Sequence, residues 1–156
     1  MKKFYYLFLL LPLTLLMSCS NDDDFSPVDM TLTLGGVTLV NNNFYSVAGE
    51  KVSVENLEVK SIDGKNSAVT NVLFSLNGVP LNGVPGSPFV SSIPTENLQP
   101  GTYSIEITGN LLQVDSSIKV FAVDYSLTIV ESEEDLPTDA PEIGSYSQTI
   151  RISENK

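Results

Sequence analysis

The sequence predicts an all-β fold, an antiparallel β-sandwich of about seven short strands, and three observations carry that expectation. Apolar residues recur at every second position through short runs, as Met30, Leu32 and Leu34 do against Thr31 and Thr33; this is the period of a half-buried strand. Clusters of Gly, Pro and Asn separate the runs, above all in "SLNGVPLNGVPGSP", where two Asn-Gly pairs read as consecutive turns. No segment sustains a helical period.

The elements follow in order. Met30–Leu34 is the first strand, and Gly35 and Gly36 turn the chain into "VTLV". In Val52–Val59, Val52 and Val54 lie in one phase and Leu57 and Val59 in the other, so a bulge near Glu55 and Asn56 is needed to restore one buried face. Further strands are expected at Val69–Leu76, Phe89–Ile93, Thr102–Thr108 and Ile118–Val130. In the last pair, Tyr103, Ile105 and Ile107 share one face, and so do Phe121, Val123, Tyr125, Leu127 and Ile129. Alternation keeps the two sets together, which places Tyr103 opposite Ile129 and Leu111 opposite Phe121. The opposite face then carries Leu112, Val114, Ile118 and Val120, an apolar patch that needs a cover.

After Val130 the chain turns acidic and Pro-containing, "ESEEDLPTDAPEIG", and reads as a linker or flap. "SYSQTIRIS" alternates again, with Tyr146, Gln148, Ile150 and Ile152 on one face. This late strand is the nearest candidate to cover the patch. The expected organisation is a signal at residues 1–18, a tether at 19–28, the sandwich at 29–131, and the linker with its terminal strand at 132–156.

The N-terminus carries an address. Lys2 and Lys3 precede an apolar stretch from Phe4 to Leu16, interrupted by Pro12 and Thr14. A membrane-spanning helix needs about 20 apolar residues, so this shorter stretch behind a basic start reads as a cleaved secretory signal. Leu16, Met17, Ser18 and Cys19 resemble the lipobox of bacterial lipoproteins, although Met17 departs from the usual small or aliphatic residue. The resemblance implies that the Cys19 thiol carries diacylglycerol and, as the new N-terminus, acyl chains such as palmitate. Each buried methylene of such chains contributes about 0.8 kcal/mol of membrane affinity, and more than one chain anchors stably. Ser20, Asn21, Asp22, Asp23 and Asp24 follow, and are similar to the export signal of Bacteroidota surface lipoproteins, with Asn21 a departure from a purely acidic run. That likeness implies an outer-membrane protein facing the exterior; the same residues also read as a solvated acidic tether.

Composition narrows the chemistry. Nineteen acidic residues face eight basic ones, and removal of the signal takes Lys2 and Lys3 but no acid. Nucleic-acid binding requires basic residues that displace counterions from phosphates, so no nucleic-acid partner is expected. There is no His, no Trp, and a single Cys. Ser/His/Asp and Cys/His catalysis are therefore impossible, and nitrogen–sulfur zinc sites are excluded. Glu55 and Glu58 form a carboxylate pair of the kind glycosidases use, but surface glutamates in a short β-domain are the ordinary case. Glu131, Glu133, Glu134, Asp135 and Asp139 invite calcium, yet no Asp-x-Asp-x-Asp-Gly loop is present. No catalytic residue, metal or cofactor is expected.

"LQPGTYSIEI" is the sharpest fold marker. Leu98, Gly101 and Tyr103 stand where fibronectin type III and other immunoglobulin-like domains carry their tyrosine corner, and the resemblance extends over roughly residues 29–131. It implies that Tyr103 buries its ring and hydrogen-bonds backbone a few residues upstream, with Gly101 permitting the bend. The Cys pair and Trp of antibody domains are missing, and Phe74 is expected to fill the place of the Trp.

Two function classes fit these readings. One is a lipid-anchored binding or adhesion module that offers the loop "NNNFYS", with Asn43, Phe44 and Tyr45, to an extracellular glycan or protein. Phe44 and Tyr45 either stack on a sugar ring there or cap the core. The other is a structural spacer, or a subunit of an envelope or fimbria-like assembly.

Overall fold

A computed structural model describes residues 25–153. The expected signal at residues 1–18, Cys19, and Ser20 through Asp24 lie outside the described residues. The chain is all-β, with nine strands: β1 (Val28–Val40), β2 (Asn43–Val47), β3 (Val52–Ser61), β4 (Ser67–Leu76), β5 (Val79–Val84), β6 (Ser91–Ile93), β7 (Gly101–Gln113), β8 (Lys119–Val130) and β9 (Gly144–Ile152). One hydrogen-bonded path runs β5-β4-β7-β8-β2-β1-β3-β6, with β9 on β1, and nearly closes into a barrel-like shape. β2 and β8 are parallel and every other pair is antiparallel, so the sheet is mixed.

β1 holds the two halves together. Val28, Met30, Leu32 and Leu34 are fully buried, while Thr31 and Thr33 face outward and exchange hydroxyl hydrogen bonds of 2.8 Å with Thr149 and Ser147 of β9. The Gly pair does not end the strand, contrary to the sequence expectation. β1 runs through it and changes partners, from β3 and β9 up to Gly35, with β9 continuing to Val37, to β2 from Thr38 on. Gly36 takes φ +77°, and a Cβ there would lie 2.0 Å from the Lys51 carbonyl oxygen. Only glycine fits that bulge, because the chain must approach backbone while left-handed.

The bulge expected near Glu55 and Asn56 is present. Thr33 pairs with Asn56 and Leu34 with Val54, which leaves Glu55 as the extra residue. Val52, Val54 and Leu57 all point inward as a result.

The double Asn-Gly stretch is not a pair of turns. Asn77 and Gly78, both at positive φ, form the only turn of the two, whereas Asn82 and Gly83 lie within β5 opposite Phe74 and Leu73. Two central residues with positive φ match the right-handed twist of a hairpin, and the next pair is needed to continue the strand. Phe74 is fully buried, as is Phe44, whose ring lies 6.5 Å from that of Tyr125. Burial pushes the Tyr125 phenol up, and its hydroxyl donates to the Met30 carbonyl at 3.3 Å.

The β7–β8 register also differs from expectation, by one inward–outward repeat. Tyr103 pairs with Leu127 rather than Ile129, and Leu111 with Lys119 rather than Phe121. Alternation specifies which face each set takes, not the slip of two that preserves it. The slip is decided at the hairpin end, where Gln113 stays in β7 to pair with Ser67 and Asp115 turns the chain at φ +63°.

β9 supplies a further correction. It pairs with β1 from Val28 through Val37 instead of covering the outer face of β7 and β8. Tyr146, Ile150 and Ile152 pack against the core from there. The terminal segment thus shares a sheet with the expected sandwich region, and Val114, Ile118 and Val120 stay exposed.

Candidate functional site

The residues singled out from the sequence fall in different places. Asn43, Phe44 and Tyr45 lie on β2, a strand and not a loop. Inward–outward alternation sends Phe44 into the core, where it is opposite Leu127 and inaccessible to any sugar. Tyr45 faces outward, half-buried, beside Thr128 of β8. The Asn43 amide donates to the Thr128 hydroxyl at 2.9 Å, and Thr128 meets the Thr102 hydroxyl at 3.1 Å. One aromatic ring therefore stands beside a ladder of amide and hydroxyl groups that crosses three strands. Sequence reasoning found Asn43 and Tyr45 but missed Thr102 and Thr128, since the group depends on the parallel pairing of β2 with β8 and on the register of β7 against β8.

Tyr103 donates its hydroxyl to the Gln99 carbonyl at 2.8 Å. Leu98 packs against the core beside it. Gly101 opens β7, and a Cβ there would make ordinary contact, 3.9 Å from the Tyr103 ring. The same device recurs at β9, where the Tyr146 hydroxyl reaches the Glu142 carbonyl at 2.8 Å. Sequence reading missed this second copy, although "GTYS" and "GSYS" announce it.

A polar latch closes the end of the fold where the described chain begins. Ser26 donates through its hydroxyl to Asp63, and its backbone N–H donates to Gln113 Oε1 at 2.7 Å. Gln113 Nε2 returns a bond to the Ser26 carbonyl at 3.1 Å and a second to the Ser67 hydroxyl at 3.1 Å. Asp63 also accepts from the Ser61 hydroxyl and from the Lys65 N–H. These donors, Ser26 first and Ser61 second, pull the Asp63 carboxyl down to about 2. A serine hydroxyl on a carboxylate resembles part of a catalytic relay, but a carboxyl held down to about 2 is too weak a base to take the proton. The latch fixes the path of the chain into β1.

Glu55 and Glu58 are both exposed. The Glu55 carboxyl lies over Gly35, within 2.0 Å of where a Cβ would stand, and Glu58 accepts from the Asn56 amide at 2.8 Å. Glu55 borders a recess, wide open to solvent, that it shares with Asn82 and Val90, and Glu58 does not line it. Glu133 to Asp135 form one 3-10 turn, capped by Ser132, whose hydroxyl donates to Asp135 at 2.8 Å. Among the described residues, no group of three or more carboxylates is placed to hold a metal ion. No helix among them is long and apolar enough to cross a membrane.

No family model matches this chain, and no curated protein is similar enough to match it.

Proposed function

We propose that this chain is a lipid-anchored, surface-displayed binding module of immunoglobulin-like build, without enzymatic activity, that recognises an extracellular glycan or protein. The strand order supports the build. β6-β3-β1 on one side and β5-β4-β7-β8-β2 on the other, with the short β2 parallel to the last long strand, is the arrangement expected of such a sandwich. The Tyr103 to Gln99 bond is the local feature that the resemblance implies. A lipobox-like Cys19 and the acidic residues after it support anchoring in an outer membrane, with Bacteroidota-type export to the exterior. The lack of histidine, with the only cysteine capped, supports binding over catalysis.

One observation carries the binding role: Tyr45 stands half-exposed beside the Asn43–Thr128–Thr102 ladder. A sugar ring is recognised by an apolar face laid on an aromatic ring together with hydrogen bonds from neighbouring amides and hydroxyls. The ladder lies at the end of β8 farthest from Phe25, where an anchored domain would meet a ligand. This favours a glycan over a protein.

Screening the mature chain against a glycan array, with Tyr45→Ala in parallel, tests the assignment. Binding of at least one glycan class that the substitution abolishes is the expected result. A chain that binds no glycan, or binds equally well without the Tyr45 ring, contradicts it.

A further inference from the structure

The Phe25 end of the fold gathers features that the binding ladder does not use. β1 begins there, β3 and β9 end there, and the β3–β4 and β7–β8 turns meet there, as the 3.1 Å bond from Ile62 N–H to the Pro27 carbonyl and the 3.2 Å bond from Val114 N–H to the Asn66 carbonyl show. Four large apolar side chains are exposed at this end: Ile62 at 51%, Val114 at 53%, Ile118 at 64% and Val120 at 81%. Beside Val120 is a recess of about 240 Å³ whose lining includes Phe25, Leu111, Phe121 and Ile152.

Charge is divided along the same axis. Lys60, Lys65, Lys119 and Arg151 lie on the elements of the Phe25 end, and Lys51 alone among the described cations lies at the other. Among the described residues the acids of the Phe25 end are few, although Asp22, Asp23 and Asp24 stand just before Phe25 in the sequence. Asp29 is held by Arg151 at 2.9 Å, Asp63 by Ser26 and Ser61, and Asp115 sits in the β7–β8 turn. Glu50, Glu96, Glu131, Glu133, Glu134, Asp135 and Asp139 crowd the opposite end.

We infer that the Phe25 end is a membrane-resting surface, on which Ile118 and Val120, with Val114 and Ile62 at the same end, enter the interfacial layer of the lipid bilayer while the lysines meet its headgroups. This rests on the lipid-anchor reading of Cys19. Five residues separate Cys19 from Phe25, and a chain spans at most about 3.3–3.6 Å per residue. A lipid on Cys19 therefore holds this end within about 20 Å of the bilayer. Contiguous exposed apolar side chains on a soluble domain mark a contact surface, and lysines beside them keep their charge in the headgroup layer while their stems lie against apolar surface. Contact here would stand the domain upright and direct the Tyr45 ladder and the acidic end away from the membrane.

The test uses the acylated full-length chain in vesicles of phosphatidylethanolamine and phosphatidylglycerol. Because the lipid caps Cys19, Val120→Cys introduces the only free thiol, and Glu134→Cys provides the same at the far end. Each is labelled with an environment-sensitive fluorophore and exposed to quencher carried on the lipid acyl chains. The expected result is strong quenching at position 120 and almost none at 134, with Ile118→Ser lowering the signal at 120. Equal or absent quenching at the two positions overturns the inference, as does crosslinking from position 120 into a protein in intact cells without lipid quenching. Acyl labelling of Cys19 is read on the same samples. If Cys19 carries no lipid, the anchor reading fails; if it does and position 120 stays dark to the quencher, only the resting surface fails.

Discussion

The hydroxyl of Tyr103 donates to the carbonyl of Gln99, four residues upstream, across 2.8 Å. Tyr146 makes the same bond to Glu142 at the same distance. Both tyrosines stand two residues after a glycine, and both pin the loop that leads into a long strand, β7 in one case and β9 in the other. A net contribution of about 0.5–1.5 kcal/mol is usual for such a bond. Tyr103→Phe and Tyr146→Phe should each lower stability by about that amount, and the double variant by their sum, since the sites share no partner. Chemical denaturation of the three variants checks this; an unchanged midpoint for either single variant would show that its hydroxyl bond holds nothing.

The acid behaviour of the chain should depend on Asp63. Its carboxyl is held down to about 2, against an ordinary 3.8, chiefly by the Ser26 and Ser61 hydroxyls. Between those values the folded chain binds fewer protons at this site than the unfolded chain, so stability rises with pH across the window. The contribution is complete above about 4 and is lost as pH falls toward 2. Asp63→Asn should therefore flatten this part of the acid limb while leaving its slope near neutrality alone. Thermal melts at closely spaced pH values follow it, and parallel acid limbs for both proteins would contradict the latch.

β9 completes the sheet on the β1 side. It covers β1 from Val28 through Val37 and brings Tyr146, Ile150 and Ile152 against the core. Arg151 ties it to Asp29 through two bonds, of 2.9 and 3.3 Å. Removing residues 144–156 would bare both the β1 backbone edge and apolar core, and an uncovered edge is a template for pairing with another chain. The truncated protein should melt earlier, bind a hydrophobic dye, or associate. A monomer of unchanged stability that ignores the dye would show that β9 is dispensable.

Strand positions were legible wherever alternation was strong. Met30, Leu32 and Leu34 announced β1, and the phase break between Val54 and Leu57 announced the bulge at Glu55. What alternation leaves open was misread. It cannot distinguish a slip of two, so Tyr103 was set opposite Ile129 instead of Leu127. Nor can it say which edge a terminal strand joins, so the expectation that β9 covers the outer face of β7 and β8 gives way to its pairing with β1. Gly and Asn were over-read as turns, because a positive φ inside a bulge or a glycine within a strand looks the same in one dimension as a hairpin. At the candidate site, Asn43 and Tyr45 were legible as an aromatic beside an amide. The approach of Thr128 to Asn43 follows from the parallel pairing of β2 with β8, and that of Thr102 from the register of β7 on β8, neither of which a local pattern records.

The proposed role rests on a lipid at Cys19 that anchors this domain. Metabolic labelling with an alkyne palmitate analogue, on the full-length chain and its Cys19→Ala variant in a bacterial host, tests it most directly. Label on the unaltered chain alone, with the variant lost from the membrane fraction, is the expected result. Label that persists in Cys19→Ala, or membrane association that does not change, would contradict it.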